Sequence, residues 1–322
     1  MSVDRRSVVA GAAAVSAAGL AGPFIGAPAQ AAAPLATAQA PGFYRYKAGD
    51  LQITAINDGF GRRPVEGFIR NAELPAVQKA LTDLALPTDT WALYFTTLVV
   101  NDGKKLTILD TGNGDSGPPT TGAWMTNFRA AGFTPEQVDT VVISHFHGDH
   151  INGLRLKNGD AVFKNAEVMV PEAEWAFWMD DAKAAAAPDG MKPAFQNVRR
   201  VFEPIKAAVK QYKAGAEIVT GVNAVAAHGH TPGHTAFAIG GKLLMLSDTT
   251  NNPVLFAAHP GFHAIFDMDG GMAEATRRRL LDMAITDKMQ VAFYHAPFPA
   301  TGTMVKEGSG YRLIPTAWSS AV

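Results

Sequence analysis

The sequence predicts an α/β fold, a four-layer αββα sandwich, on three observations. Strand-like segments precede and follow helical ones in both halves of the chain. Apolar residues make up 47% of 322 residues, enough for a substantial core. Residues able to ligate a metal come from both halves.

Taken in order, residues 1–31 read as an export signal. Arg5-Arg6 precedes an Ala- and Gly-rich apolar run from Val8 to about Pro28, and Ala29-Gln30-Ala31 reads as a small-x-small cleavage site. That is the pattern of a bacterial twin-arginine signal, which implies a periplasmic or secreted protein. Gly and Pro interrupt the run, which argues against a membrane anchor. Cleavage after Ala31 removes two cations and one anion, moving the net charge from −1 to −2. Residues 32–41 read as a flexible Ala- and Pro-rich leader, and residues 42–322 as a single domain.

Alternation at Leu51, Ile53 and Ala55 predicts a half-buried strand that Asp58-Gly59 ends. A short helix is expected near Ala76 to Leu84. Tyr94 to Val100 and Lys105 to Leu109 read as a hairpin turning at Asn101-Asp102-Gly103. Residues 111–122, with four Gly and two Pro, read as a long loop, and a helix from Gly122 to Ala131 stops at Gly132. Val138 to Ile143 is rich in β-branched residues and reads as a buried strand. Ala166 to Val170 is another short strand, and Pro171 suits the first turn of a helix running to about Met179. Ala182 to Gly190 is a low-complexity Ala segment. Val198, Val201, Phe202, Ile205 and Val209 predict an amphipathic helix over Phe195 to Lys210. Strands are expected at Glu217–Thr220, Val222–Ala227, His234–Ile239 and Lys242–Leu246, then a helix over Met272–Ile285. Gln290–Tyr294 reads as a final core strand and Tyr311–Ile314 as an edge strand.

The chemistry concentrates in Ser144-His145-Phe146-His147-Gly148-Asp149-His150, where three of the nine histidines and a carboxylate fall within six residues. The segment follows a strand, and an extended backbone sends His145 and His147 to one side, where they can grip one ion. Asp149 and His150 can reach a second. Imidazole with carboxylate and no thiolate suits Zn²⁺ or a similar first-row divalent ion. The chain has no cysteine, which removes disulfides, thiolate ligands and a cysteine nucleophile together. The densest basic cluster, Arg277-Arg278-Arg279, reads as a solvated helix face, so no nucleic acid partner is expected.

His-x-His-x-Asp-His after an apolar strand resembles the signature of the metallo-β-lactamase superfamily, and further motifs follow in the family's order. Gly229-His230-Thr231-Pro232-Gly233-His234, Leu246-Ser247-Asp248 and Tyr294-His295 lie downstream, and Leu109-Asp110-Thr111-Gly112 upstream. Within the superfamily the chain is most similar to methyl parathion hydrolase and its lactonase and arylesterase relatives. Ala131 to Asp139, Gly229 to Thr235, Phe177-Trp178 and Glu307 to Pro315 carry that likeness.

The resemblance implies two divalent metal ions, Zn²⁺ or mixtures with Mn, Fe or Co. One would sit on His145, His147 and His234, the other on Asp149, His150 and His295, with Asp248 bridging them. A bridging hydroxide would attack a carbonyl or phosphorus, and Asp149 or Asp248 would pass a proton to the leaving group. Asp110 and His230 would orient the ligands. Trp178 aligns with a pocket tryptophan of methyl parathion hydrolase, and Trp124, Met191 and Phe195 are looser candidates for the same wall. His259 and His263 either line the pocket or lie on the surface.

The expected substrates are small lactones or aryl esters, with phosphotriester hydrolysis as a side activity. A dedicated phosphotriesterase is the alternative, although Gly117 stands where that enzyme carries an aromatic and Asn251 where quorum-sensing lactonases often place a tyrosine. Persulfide dioxygenases share the fold but use one iron, whereas every ligand position here is filled. Relatives imply a homodimer.

Overall fold

A computed structural model describes residues 33, 35–37 and 39–322. The expected export signal lies outside the described residues. No helix among the described residues is long and apolar enough to cross a membrane.

Two seven-stranded sheets form, one from each half of the chain, and each keeps its strands in sequence order. The first contains β1 (Phe43–Ala48), β2 (Leu51–Pro64), β3 (Thr90–Asn101), β4 (Leu106–Leu109), β5 (Thr140–Val142), β6 (Glu167–Pro171) and β7 (Lys210–Tyr212). The second contains β8 (Glu217–Val219), β9 (Val222–Ala226), β10 (Thr235–Ile239), β11 (Leu243–Met245), β12 (Gln290–Ala292), β13 (Thr301–Glu307) and β14 (Gly310–Pro315). Each sheet is mixed. In the first, β1 to β4 are antiparallel, and β4 to β7 run parallel. In the second, the β11–β12 pair is parallel amid antiparallel neighbours.

The helices are α1 (Leu74–Asp83), α2 (Trp124–Ala130), α3 (Gly148–Ile151), α4 (Glu172–Trp178), α5 (Asp181–Ala186), α6 (Lys192–Phe202), α7 (Pro253–Ala258) and α8 (Gly270–Thr286). Three buried clusters define the layers. Ile53, Leu93, Phe237, Met245 and Tyr294 belong to a core shared by both sheets. Val141, Ile143, Phe128, Trp178 and Phe202 pack α2, α4 and α6 on the outer face of the first sheet. Leu244, Val291, Leu280 and Leu281 pack α8 on the outer face of the second. This is the αββα sandwich that the sequence predicts.

Several boundaries differ from the sequence reading. β2 does not end at Asp58-Gly59. A register shift between Asn57 and Gly59 absorbs the turn-forming pair as a bulge, and the strand continues to Pro64. The expected helix over Phe195–Lys210 is divided: α6 ends at Phe202, a 3₁₀ turn covers Glu203–Ile205, and Lys210 already begins β7. Pro204 explains the break, since it has no N–H to donate to a continuing helix. β1, β13 and α7 were not expected, although β1 alternates buried Tyr44, Tyr46 and Ala48 with Arg45 and Lys47. Arg277 is not solvated: at 1% exposure it points inward from α8 and donates to the carbonyls of Thr249, Pro260 and Phe262. Those carbonyls and Asp267, 3.5 Å away, supply the acceptors that a buried guanidinium requires.

Candidate metal centre

The site lies where strand ends of both sheets meet. β5 ends just before Ser144, and the following loop carries His145 and His147 into α3, with His147 as the N-cap residue. From the second sheet, the 228–234 turn enters β10, Asp248 follows β11, and His295 follows β12.

Two groups of donor atoms converge. His145, His147, His230 and Asp248 form one, and Asp149, His150, Asp248 and His295 the other, with donors in each within 4.8 Å of one another. Asp248 belongs to both. The resemblance placed His234 in the first group and His230 behind it, but the structure brings His230 into the group. Its Nε2 lies 2.9 Å from His147 Nδ1 and 3.3 Å from Asp248 Oδ2. His234 is adjacent, its ring 5.0 Å from that of His145, with Nε2 accepting the Asp248 N–H at 3.2 Å.

Outer partners orient these rings. Nδ1 of His150 meets Asp110 Oδ2 at 2.8 Å, Nδ1 of His230 meets Asp267 Oδ1 at 3.0 Å, and Nδ1 of His145 meets Ser144 Oγ at 3.0 Å. His234 and His295 donate from Nδ1 to the carbonyls of Ala227 and Tyr94, at 2.8 and 2.7 Å. An anchored Nδ1–H leaves the Nε2 lone pair facing inward, the form that ligates metal. Asp110 sits at a left-handed φ of 61° after β4 and also accepts from Ser144 N and Oγ, both at 2.7 Å. The resemblance expects Asp110 to orient a ligand, and here its carboxylate meets the His150 ring.

Burial and charge divide the imidazoles into two kinds. Burial, with repulsion from His150, holds His145 well below the usual histidine range. Burial likewise depresses His147 and His234, each to about 3, with the charge on His230 adding to both. For the other three, burial also opposes protonation, but carboxylates outweigh it. Asp248, Asp149 and Asp110 raise His150 well above its ordinary value, and Asp248 and Asp267 push His230 up to about 9. Asp248 raises His295. Burial works against ionising Asp149, yet His150 and His295 bring it down to about 2.

The residues fit divalent metal. Buried His150 Nε2 and Asp248 Oδ1 have no hydrogen-bond partner although they lie 3.2 Å apart. A cation shared between them would satisfy both. All the donors are imidazole nitrogens and carboxylate oxygens, a set that suits zinc and its neighbours.

A cavity of about 480 Å³ opens over the two groups. Gly61, Arg62 and Arg63 of β2, Leu93 and Phe95 of β3, Asn113, Ser116, Gly117 and Pro118 of the long loop, and Phe266 form its wall. None of Trp178, Trp124, Met191 and Phe195 lines it, and neither do His259 and His263, which the sequence left open between wall and surface. Trp178 is 1% exposed and lies behind His147, donating from Nε1 to Glu174 Oε2 at 2.9 Å. Trp124 is buried against Phe128 and donates to Thr97 Oγ1. Phe195 is buried against Trp178, and Met191 packs on the same cluster. His259 stacks on Phe262, and His263 pairs with Glu274 at 3.1 Å. Large apolar side chains go to the helix-covered core, where they bury most area, so their presence near a motif does not place them in the cavity.

Besides Asp267, two buried carboxylates escaped sequence reading. Glu174 accepts from Phe146 N at 2.9 Å and Gly233 N at 2.6 Å, tying together the two loops that carry histidines. Asp58 accepts from Asn113 N, Asn113 Nδ2, Gly122 N and Trp124 N, and so fixes the 111–122 loop above the site. The only local signal was an acidic residue beside a turn or in a helix's first turn, which surface residues share.

No curated protein matches the sequence. Among solved structures, the chain is similar to hydrolase AbOPH of the beta lactamase superfamily, with TM-score 0.81, 28% identity, and coverage of 88% of this chain and 100% of that one. It is also similar to AidC, a dizinc quorum-quenching lactonase in complex with a product, N-hexanoyl-L-homoserine, with TM-score 0.81, 25% identity, and coverage of 87% and 99%. The family model for the metallo-β-lactamase superfamily matches residues 90–285, more than half of the 322 residues, and the chain belongs to that superfamily.

Proposed function

We propose that this metallo-β-lactamase-fold hydrolase cleaves lactones or aryl esters at a centre of two divalent ions, Zn²⁺ first among them. The observation that carries this reading is the pair of donor groups sharing Asp248 on the floor of a cavity walled by Leu93, Phe95, Pro118 and Phe266. In the proposed assignment Asp149, His150 and His295 hold one ion, and His145 and His147 hold the other with His234 or His230. Bound there, the ions would polarise the scissile group and bring the pKa of water from about 15.7 toward 7.

The chain's own residues would do the rest. Asp149 lines the cavity with its side chain 22% exposed, where its carboxylate could accept and return a proton at the leaving group. The apolar wall would hold the acyl or aryl part and exclude water around it. AidC, a lactonase of similar structure, supports the lactone assignment.

Gly117 favours esters and lactones over a dedicated phosphotriesterase. A Cβ added there would lie 2.2 Å from Thr121 Oγ1, so the aromatic of that enzyme has no room without a shift of the loop. The filled second donor group favours hydrolysis over single-iron persulfide oxidation. The test is a substrate panel on zinc-loaded protein. Turnover of dihydrocoumarin and phenyl acetate above methyl parathion is expected, and inert esters with fast methyl parathion turnover would overturn the assignment. Export belongs to the same reading. A fusion carrying residues 1–40 should reach the periplasm, and cytoplasmic retention would refute that part.

A further inference from the structure

Two arginines of the cavity wall are engaged neither in the metal centre nor in the fold's ion pairs. Arg62 and Arg63 stand near the end of β2 and line the cavity beside Leu93 and Phe95. Arginine ion pairs among the described residues are made by Arg199, Arg277, Arg278 and Arg312, not by these two. Their guanidinium groups lie over aromatic rings instead, Arg62 over Phe60 at 5.3 Å and Arg63 over Phe266 at 5.2 Å. A ring beneath the guanidinium plane restrains the long side chain and leaves the N–H edge free, an arrangement suited to a planar oxyanion. The remaining ionisable groups of the lining are His147, Asp149, His230, Asp248 and His295, all members of the two donor groups. The wall outside the metal centre therefore carries positive charge only.

We infer that Arg62 and Arg63 select substrates bearing a carboxylate on the part of the molecule away from the scissile bond. This rests on the proposed ester and lactone hydrolysis and names its substrate class. The reacting carbonyl would lie on the donor groups, the linking chain along Leu93, Phe95 and Phe266, and the remote carboxylate against the guanidinium edges. Arginine's paired donors match a carboxylate's two oxygens, which a neutral ester of equal length does not offer.

The test compares monophenyl adipate with phenyl hexanoate, matched in length and leaving group, on the zinc-loaded full chain with phenol release as the readout. The ratio of kcat/KM, acid over neutral, should favour the acid by about ten-fold at low salt and shrink as salt rises. In the Arg62→Gln/Arg63→Gln variant that ratio should collapse toward one, through KM rather than kcat, and in the Arg62→Lys/Arg63→Lys variant it should be partly kept. Attraction of the acid to the metal ions would persist in the Gln variant, so an unchanged ratio there overturns the inference. Equal rates on both esters in the native enzyme overturn it as well, while leaving ester hydrolysis intact. If neither ester turns over but methyl parathion does, the function proposed above fails and this inference fails with it.

Discussion

The two donor groups are neighbours, yet they differ in their balance of imidazole and carboxylate. The first is dominated by imidazole. His145, His147 and nearby His234 are held neutral by burial, His230 alone is pushed up to about 9 by Asp248 and Asp267, and Asp248 is the group's single carboxylate. The second has two carboxylates, Asp149 and Asp248, which together with Asp110 hold His150 and His295 toward the charged form. Their supports differ too. Glu174 ties the loops of the first group through backbone N–H groups while Asp267 holds its His230 ring, and Asp110 holds the His150 ring of the second. The neutral rings of the first group accept an ion without displacing protons, and only His230 there would have to give one up. A set held in ion pairs must release protons as the ion enters. The contrast predicts two ions of different pH dependence and different sensitivity to mutation.

Asp248→Asn should erase the difference between the groups, because Asp248 belongs to both. We expect loss of both ions and a fall in ester turnover on the order of 10³-fold, from the cost of breaking a buried ionic network. Metal analysis of desalted protein beside phenyl acetate kinetics reads it. Retention of one full equivalent of metal would show that the carboxylate is not shared. Asp149→Asn should separate the groups. One ion should remain, bound by the first group, while turnover drops by about 100-fold, and loss of both ions would mean that the sites fill only as a unit.

Protonation offers a third way to test the contrast, in the chelator-treated protein. His150, His230 and His295 are raised in the fold, His230 to about 9. A raised histidine contributes its full stability below the unfolded value of about 6.5 and loses it as pH climbs through the folded value. Thermal melts of metal-free protein should therefore show Tm falling between pH 6.5 and 9. In the zinc-loaded protein the fall should vanish or reverse, since ligation needs the unprotonated rings. A flat metal-free profile would mean that the carboxylates do not hold these protons.

What could be read from the sequence follows from how each part is built. The donor residues of the His145–His150 segment were legible because six residues carry four of them, and the strand before the segment fixes their direction. Asp248 and His295 were legible through family likeness, each standing just after a buried strand. The nearness of the His230 ring to His147 and Asp248 was not. His230 and His234 are separated by one tight turn, and which ring turns toward His147 depends on Asp267 and Ala227, one of them 37 residues away from His230. The cavity wall was illegible for a related reason. It is assembled from β2, β3, the 111–122 loop and the segment after α7, which are brought together only by the packing of two sheets. Aromatic residues close to a motif were misplaced because apolar area drives them into the nearest core rather than into an open cavity. The sandwich itself was clear in outline, since its layers follow strand and helix order, while α6 and β2 were misjudged where one Pro and one bulge overrode the periodic pattern.

The smallest expected effect probes the support of the first group alone. Trp178 touches no substrate-facing surface, and its indole N–H is one of several donors that hold the buried Glu174 carboxylate. Burial raises the pKa of Glu174, so each donor lost makes the ionised form harder to keep. Trp178→Phe keeps most of the packing and removes that donor, at a cost of about 1–2 kcal/mol in stability. The remaining bonds from Phe146 and Gly233 should keep both loops in place, so metal content should stay at its native value, with zinc affinity of the first group weakened by no more than about ten-fold. The relative rates on dihydrocoumarin, phenyl acetate and methyl parathion should not change, because the indole lies behind His147 rather than in the wall. A large change in that rate pattern without loss of metal would put Trp178 in contact with substrate and restore the role that its place in the sequence first gave it.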